Sequence, residues 1–131
     1  MKVIIVGSKE WDDYYTVMRK MTVVIDDWVR SNPEDKTLTL LHTGSVGAEN
    51  MVTEYAGKVE KLFKQKGYAI KEKIYRLKNY DVESPFIARD KDMIESGAEK
   101  VLVFSKDSCR KTTSFARLAS AYGIDTEVIE G

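Results

Sequence analysis

Short apolar runs alternate with amphipathic stretches along the whole of this chain. Runs rich in β-branched residues and bounded by turn residues predict strands, and they occur at Lys2–Gly7, Thr37–His42, Tyr68–Leu77, Lys100–Phe104 and Asp125–Ile129. Apolar residues spaced three and four apart predict helices between these runs, at Trp11 to about Ser31, Ala48–Lys66, Phe86–Ser96 and Lys111–Tyr122. We expect a loop at Lys78–Pro85.

The two long predicted helices each carry one apolar stripe. In the first helix the stripe comprises Tyr14, Met18, Met21, Ile25 and Trp28. In the second helix it comprises Met51, Tyr55, Val59, Leu62 and Phe63. We expect both stripes to pack against a sheet.

The alternation of strands and helices predicts an α/β fold. Parallel neighbours need crossover connections, and a helix between successive strands supplies one. The first and fourth strands are apolar throughout, which is typical of a sheet covered on both faces, whereas charges interrupt Tyr68–Leu77 and favour a sheet edge. We predict a Rossmann-like three-layer sandwich with a five-stranded, mainly parallel sheet. The length of 131 residues predicts a single domain, residues 1–131.

Charge and cysteine content argue against several classes of protein. The chain has 21 Lys and Arg against 21 Asp and Glu, and this balance argues against a dedicated nucleic-acid binder. Its one cysteine, Cys109, cannot form an internal disulfide, and we expect neither a metal nor a cofactor. The apolar runs are too short for a signal peptide or a membrane span. We therefore expect a soluble, cytoplasmic protein.

Three loops follow strands at the edge of the sheet where ligands bind in such folds. The first is Gly7-Ser8-Lys9, directly after the first strand. Gly7 allows a ligand to approach the backbone closely, and Ser8 could contact a phosphate. A tight turn with a helix cap explains these residues equally well.

The second loop, His42–Glu49, joins the second strand to its helix and contains Gly44, Ser45 and Gly47. Backbone N–H groups and the helix dipole favour an anion there. The loop lacks a full dinucleotide fingerprint and a Walker lysine, so an ordinary glycine turn is the alternative. His42 could contact a ligand or act as an acid or base, although a histidine at a strand end more often has a structural hydrogen bond.

The third loop, Ser105–Thr113, precedes the last helix. Arg110 and Lys111 lie where that helix should begin, and each cation there is disfavoured by about 0.3–1 kcal/mol because the dipole is positive at this end. A bound phosphate would reverse the sign of this effect, and Thr112 adds a hydroxyl donor. The alternative is that both cations point into solvent.

Further features carry weaker signals. Eight basic residues lie between Lys58 and Lys78, and they favour either a nucleic-acid surface or a solvated helix face. The aromatic residues Trp11, Tyr80 and Phe86 flank the loops and could stack on a base, or simply pack in the protein. Cys109 has cationic neighbours that lower a thiol pKa, but no partner base is evident in the sequence.

Together the three loops resemble the SLOG superfamily, and within it the small YspA-type branch. The resemblance covers nearly the whole chain in order. The family motif G-S-R is matched by Gly7-Ser8-Lys9, and H-G-G-x-x-G-A-D by His42-Thr43-Gly44-Ser45-Val46-Gly47-Ala48-Glu49. R-N-x-x-M is matched by Arg89-Asp90-Lys91-Asp92-Met93, and S-x-G-T by Cys109-Arg110-Lys111-Thr112. Thr43 and Lys111 each replace a family glycine.

The resemblance implies a domain that binds a phosphorylated nucleotide or a nucleotide-derived ligand. Gly44, Ser45 and Gly47 would surround the phosphate with backbone N–H groups. The side chains that would neutralise or bind it are Arg89, Arg110, Lys111 and Thr112. Ser8 and Lys9 would contact ribose or a second phosphate.

More distant relatives implied by the resemblance are the lonely-guy phosphoribohydrolases, which cleave the N-glycosidic bond of nucleoside monophosphates. Their catalytic glutamate falls at Phe115 here, and an aromatic ring can neither stabilise a ribosyl cation nor activate water. We therefore expect binding rather than hydrolysis. The alternatives are N-glycoside hydrolysis with Glu49 as acid or base, and a nucleic-acid accessory role. A homo-oligomer is compatible with the sequence, which does not locate its interface.

Overall fold

The five strands form one sheet in which every neighbouring pair is parallel. In a computed structural model that describes all residues from Met1 to Gly131, the strands are β1 (Lys2–Gly7), β2 (Thr37–His42), β3 (Ala69–Ile74), β4 (Lys100–Ser105) and β5 (Asp125–Glu130). The helices are α1 (Tyr14–Arg30), α2 (Ala48–Gln65), α3 (Pro85–Ile94) and α4 (Arg110–Ala121). The predicted α/β, three-layer fold is confirmed.

The strand order β3-β2-β1-β4-β5 places β1 at the centre and β3 at an edge, as the charges in β3 predict. Val3 and Ile5 of β1 pack into a core with α1 and α2, whereas Ile4 and Val6 pack into a second core with α3 and α4. The chain changes direction between β1 and β4, so the helices that follow these two strands lie on opposite faces of the sheet. A crevice forms at such a point, outside the carboxyl ends of the strands.

Some predicted boundaries are wrong. The strand predicted at Tyr68–Leu77 ends at Ile74 and is followed by a 3₁₀ turn at Leu77–Asn79, so this segment turns over the end of the sheet. The first helix begins at Tyr14 rather than Trp11, because Asp13 caps it by accepting a hydrogen bond of 3.1 Å from the Thr16 N–H.

The predicted apolar face of α2 is also wrong in part. Leu62 is 52% exposed, and the residues of α2 that are buried are Ala48, Glu49, Val52, Tyr55 and Ala56. The buried residues of α2 therefore lie in its first half, where Ala48 packs against Gly7 of β1. No helix in the structure combines the length and the apolar character needed to cross a membrane.

Candidate functional site

A cleft of about 340 Å³ lies over the carboxyl ends of β1 and β2, beside the starts of α3 and α4. It is lined by Lys9, Thr43, Ser45, Tyr75, Arg76, Leu77, Phe86, Arg89 and Lys111. Four of these residues are cationic and none is acidic. The cleft therefore attracts anions, although the whole chain has a net charge of zero.

The loop between β2 and α2 has a backbone that requires glycine. Gly44 and Gly47 have φ angles of 74° and 92°, in the left-handed region that side chains rarely adopt. A Cβ atom on Gly47 would also overlap the carbonyl oxygen of Ser8. The loop can therefore pack directly against the segment that follows β1, and Gly47 caps α2 without any side-chain hydrogen bond.

His42 is fully buried at the end of β2, and both of its ring nitrogens have partners. Nδ1 accepts a hydrogen bond of 3.0 Å from the Gly44 N–H, while Nε2 lies 3.0 Å from a carboxylate oxygen of Glu72. The backbone N–H can only donate, so Nδ1 is the acceptor and Nε2 carries the proton toward Glu72. His42 therefore holds the glycine loop from beneath and does not line the cleft.

Glu49 lies in the first turn of α2 and is 1% exposed. Its Oε1 accepts hydrogen bonds from the backbone N–H and the hydroxyl of Thr43, at 2.6 and 2.7 Å. Its Oε2 has no hydrogen-bond partner, and the nearest cation is the Lys111 ammonium at 3.6 Å. A buried carboxylate with one oxygen available therefore lies below the cationic cleft.

Arg89 of α3 is 6% exposed and places its guanidinium against the ring of Phe86, 5.4 Å from the ring centre. Its only ion pair is a long contact of 3.4 Å with Asp90, and its Nε has no partner. Burial raises the pKa of the Asp90 carboxyl, an effect that the Arg89 charge partly opposes. The 3.4 Å separation makes the ion pair with Asp90 a long one, and the Nε of the buried guanidinium keeps unused hydrogen-bonding capacity.

The start of α4 contributes Lys111 to the cleft, while its neighbours face elsewhere. Thr112 is fully buried, and its hydroxyl lies 2.8 Å from both the Cys109 carbonyl oxygen and Ser105 Oγ. The carbonyl can only accept, so Thr112 donates its one proton to Cys109 and accepts from the Ser105 hydroxyl. Arg110 is exposed and does not line the cleft. Cys109 is the residue that precedes the first turn of the helix.

The pKa of the Cys109 thiol is lowered, chiefly by the backbone N–H of Thr112, with smaller contributions from the Ser8 hydroxyl and the Lys111 N–H. Burial of the thiol opposes this effect. Amide groups at a helix start stabilise negative charge. The same electrostatics favour an anionic ligand at this end of α4.

The structure brings together only part of the predicted site. Lys9, Thr43, Ser45, Arg89 and Lys111 line the cleft, and Glu49 lies directly below it. Ser8 is fully buried and its Oγ accepts a 3.0 Å hydrogen bond from the Lys106 N–H. Gly7 allows β1 and the start of α2 to pack closely together, because a Cβ on Gly7 would overlap the Cβ of Ala48.

Among the three aromatic residues singled out, only Phe86 lines the cleft, and it is 60% exposed. Trp11 packs edge-on against Phe104 in the core, with ring centres 5.3 Å apart. Tyr80 donates a 2.6 Å hydrogen bond to Asp92. Phe86 is therefore the one ring of the three that is available to a ligand in this cleft.

Sequence reasoning missed Arg76, Tyr75 and Leu77 as cleft residues. They follow β3 and turn over the end of the sheet toward α3. Arg76 belongs to the basic run from Lys58 to Lys78 and is the only member of that run in the cleft. The sequence predicts a strand through Leu77, whereas β3 ends at Ile74, so the predicted strand concealed the loop that carries Arg76.

A larger cleft of about 520 Å³ lies at the opposite end of the sheet, around the starts of β1, β4 and β5. Its lining includes five acidic residues, Asp27, Asp35, Glu99, Asp125 and Glu127, against Lys20 and Lys100. This excess of carboxylates disfavours a phosphorylated ligand. No group of three or more His, Cys, Asp or Glu side chains is arranged to hold a metal ion.

Comparisons of the chain with protein-family models, curated proteins and solved structures found no match. The resemblance to the SLOG superfamily therefore stays a prediction from the motifs.

Proposed function

We propose that this protein binds a phosphorylated nucleotide or nucleotide-derived ligand, with the phosphate in the cationic cleft. The observation that carries the proposal is the buried guanidinium of Arg89, which is 6% exposed, has an unpartnered Nε and faces a cleft that contains no carboxylate. Burial of a charged group is costly unless hydrogen bonds and an opposite charge compensate it. A phosphate would provide both.

The surroundings of Arg89 support the same ligand. Lys9, Arg76 and Lys111 line the cleft with it, and their mutual repulsion falls when an anion binds between them. The loop that leads into α2 contributes Thr43 and Ser45 to the cleft, and the positive end of the dipole of α2, which has no side-chain cap, favours an anion on that side. The exposed ring of Phe86 offers a face on which a base can stack.

The order of the motifs along the chain supports a place in the SLOG superfamily. Two of the four matched motifs contribute Lys9 and Arg89 to the cleft, and the other two contribute Thr43, Ser45 and Lys111. This convergence is what a ligand-binding role predicts for motifs that are far apart in sequence.

The first test is thermal unfolding in the presence of AMP, ADP-ribose, NAD, and cyclic mono- and dinucleotides. A ligand at 100 times its Kd adds about 2.7 kcal/mol of stability, which raises Tm by about 10 °C for a domain of this size. If none of these compounds raises Tm, the proposal is overturned.

The second test compares the Kd of the ligand found in that screen between variants. Lys111→Met and Arg89→Lys should each weaken binding by about 10- to 100-fold, the value of a charge-assisted hydrogen bond. The controls are Arg117→Met and Lys91→Met, exposed cations on the same two helices outside the cleft. Equal affinity in the site variants and the controls would place the ligand elsewhere.

Hydrolysis of an N-glycosidic bond is a second candidate function, because Glu49 has a free carboxylate oxygen below the cleft. Phe115 of α4 occupies the position at which the phosphoribohydrolases carry their glutamate. It is 4% exposed and packs in the core between α4 and the sheet. Release of adenine from AMP by the protein, abolished in Glu49→Gln, would support hydrolysis. Binding of AMP without release of the base would favour binding alone.

A further inference from the structure

A small pocket of about 10 Å³ adjoins the cationic cleft on its inner side. Thr43, Arg89 and Lys111 line both cavities. The pocket is completed by Val6, Glu49, Asp90, Met93 and Phe115. A ligand bound in the cleft is therefore next to a recess of about the size that accepts one water-sized group.

Two polar atoms beside this recess have no partner in the protein. They are Oε2 of Glu49 and Nε of Arg89, on side chains that belong to residues 1% and 6% exposed. The Lys111 ammonium lies 3.6 Å from Oε2, which is longer than a hydrogen bond. Two of the residues that line the pocket, Glu49 and Arg89, therefore have an unused acceptor and an unused donor respectively, both shielded from solvent.

An unused acceptor and an unused donor together restrict the chemistry of a group that can pair with both. A fully ionised phosphate or a carboxylate has no proton to donate to Glu49 and would be repelled by its charge, while an ammonium cannot accept from Arg89. A hydroxyl donates one hydrogen bond and accepts others. It is also neutral and small enough for the volume.

We propose that the pocket is a hydroxyl subsite, in which Glu49 and Arg89 select ligands that carry a hydroxyl close to their phosphate. The inference rests on the proposed function, because it assumes that the phosphate lies in the adjoining cleft. The ligand class it names is a ribonucleotide or another ribose phosphate, with a sugar hydroxyl donating to Glu49 Oε2. Deoxy analogues are then poor ligands, since they leave the buried carboxylate oxygen unpaired.

The experiment is isothermal titration of the wild-type protein with AMP, 2′-deoxy-AMP, 3′-deoxy-AMP and ribose 5-phosphate. AMP should bind about 10- to 100-fold more tightly than at least one of the deoxy analogues, because a site built around a hydroxyl discriminates strongly against its loss. This comparison needs no variant and does not depend on whether a substitution folds. AMP and both deoxy analogues binding within about threefold of one another would overturn the subsite.

The variant Glu49→Gln then tests whether Glu49 is the residue that causes the preference for AMP over its deoxy analogues. The substitution keeps the shape of the side chain and an oxygen for Thr43 but replaces the free acceptor by an amide donor. The ratio of the AMP and deoxy-AMP affinities should fall to within about threefold, whereas the matched control Glu54→Gln, an exposed residue of the same helix, should keep the wild-type ratio. A full wild-type ratio in Glu49→Gln would show that another group selects the hydroxyl.

The two proposals fail in different ways. If wild-type protein binds none of the four compounds, and inorganic phosphate also fails to bind, the anion site itself is wrong and the subsite falls with it. If all of the compounds bind with similar affinity, the anion site stands and only the hydroxyl subsite is overturned.

Discussion

Gly47→Ala should destabilise the protein strongly, because Gly47 joins the glycine loop to the end of β1. Its φ of 92° and ψ of −136° lie in a region that is essentially restricted to glycine and costs other residues about 1–3 kcal/mol. The new methyl would also overlap the Ser8 carbonyl oxygen and lie 3.0 Å from the Lys9 carbonyl oxygen. Both neighbours are backbone atoms, so they cannot rotate away, and relief requires the loop to move.

The expected loss in the free energy of unfolding is about 2–6 kcal/mol, the sum of a backbone strain of about 1–3 kcal/mol and an overlap of about 1–3 kcal/mol. At about 2.1 cal/mol/K of unfolding entropy per residue, this corresponds to a fall in Tm of roughly 7–22 °C for a domain of this length. Thermal and urea unfolding followed by circular dichroism would measure the change.

The chain provides a matched control in Gly57→Ala. Gly57 lies in the middle of α2, and a Cβ there would have no neighbour within 4 Å. The substitution should raise the free energy of unfolding by about 1 kcal/mol, because alanine is the better helix former. Gly47→Ala with wild-type stability, or with the same effect as Gly57→Ala, would refute the loop conformation described above.

Three further predictions concern titratable groups. His42→Asn keeps an acceptor for the Gly44 N–H and should preserve AMP affinity better than His42→Gln. Both variants should lower the urea concentration at the unfolding midpoint. Equal loss of AMP affinity in the two variants would contradict the role of His42 in holding the glycine loop. Cys109 should react with iodoacetamide at a lower midpoint pH in the folded than in the unfolded protein, because its pKa is lowered; identical midpoints would contradict this. The pKa of Asp90 in the folded protein is raised above its ordinary value of 3.8. The protonated carboxyl therefore contributes fully to the stability of the folded protein below pH 3.8, and this contribution is lost as the pH rises through the pKa of the folded state. The free energy of unfolding of Asp90→Asn minus that of wild type should therefore increase from about pH 3 to pH 7 in urea unfolding, and a decrease in this difference over the same range would refute the assignment.

Much of the fold follows from local patterns in the sequence. The apolar runs that became β1 and β4 predict central, fully covered strands, and the charged run that became β3 predicts an edge. These predictions succeed because the solvation of a strand depends on its own side chains. The prediction of the buried face of α2 was wrong in part, because hydrophobic periodicity carries no information on how closely a helix approaches the sheet. In this structure Ala48 allows α2 to contact Gly7 directly.

The candidate site was only partly accessible to the same reasoning. Glycine spacing located the loop after β2, and the cations at the start of α4 located Lys111. The sequence did not distinguish polar side chains that face the cleft from those that serve the protein interior. Ser8, His42 and Thr112 belong to the second group because the surrounding backbone supplies their hydrogen-bond partners.

The sequence by itself determined the order of strands and helices and the loops that carry polar chemistry, since each depends on residues close together in the chain. Only the tertiary structure decided the strand order, the burial of Glu49 and Arg89, and the entry of Arg76 into the cleft. Glu49, Arg89 and Lys111 come from three separate helices. Their shared pocket exists because parallel strands bring those helix ends to one edge of the sheet, a relationship set by packing across the whole domain.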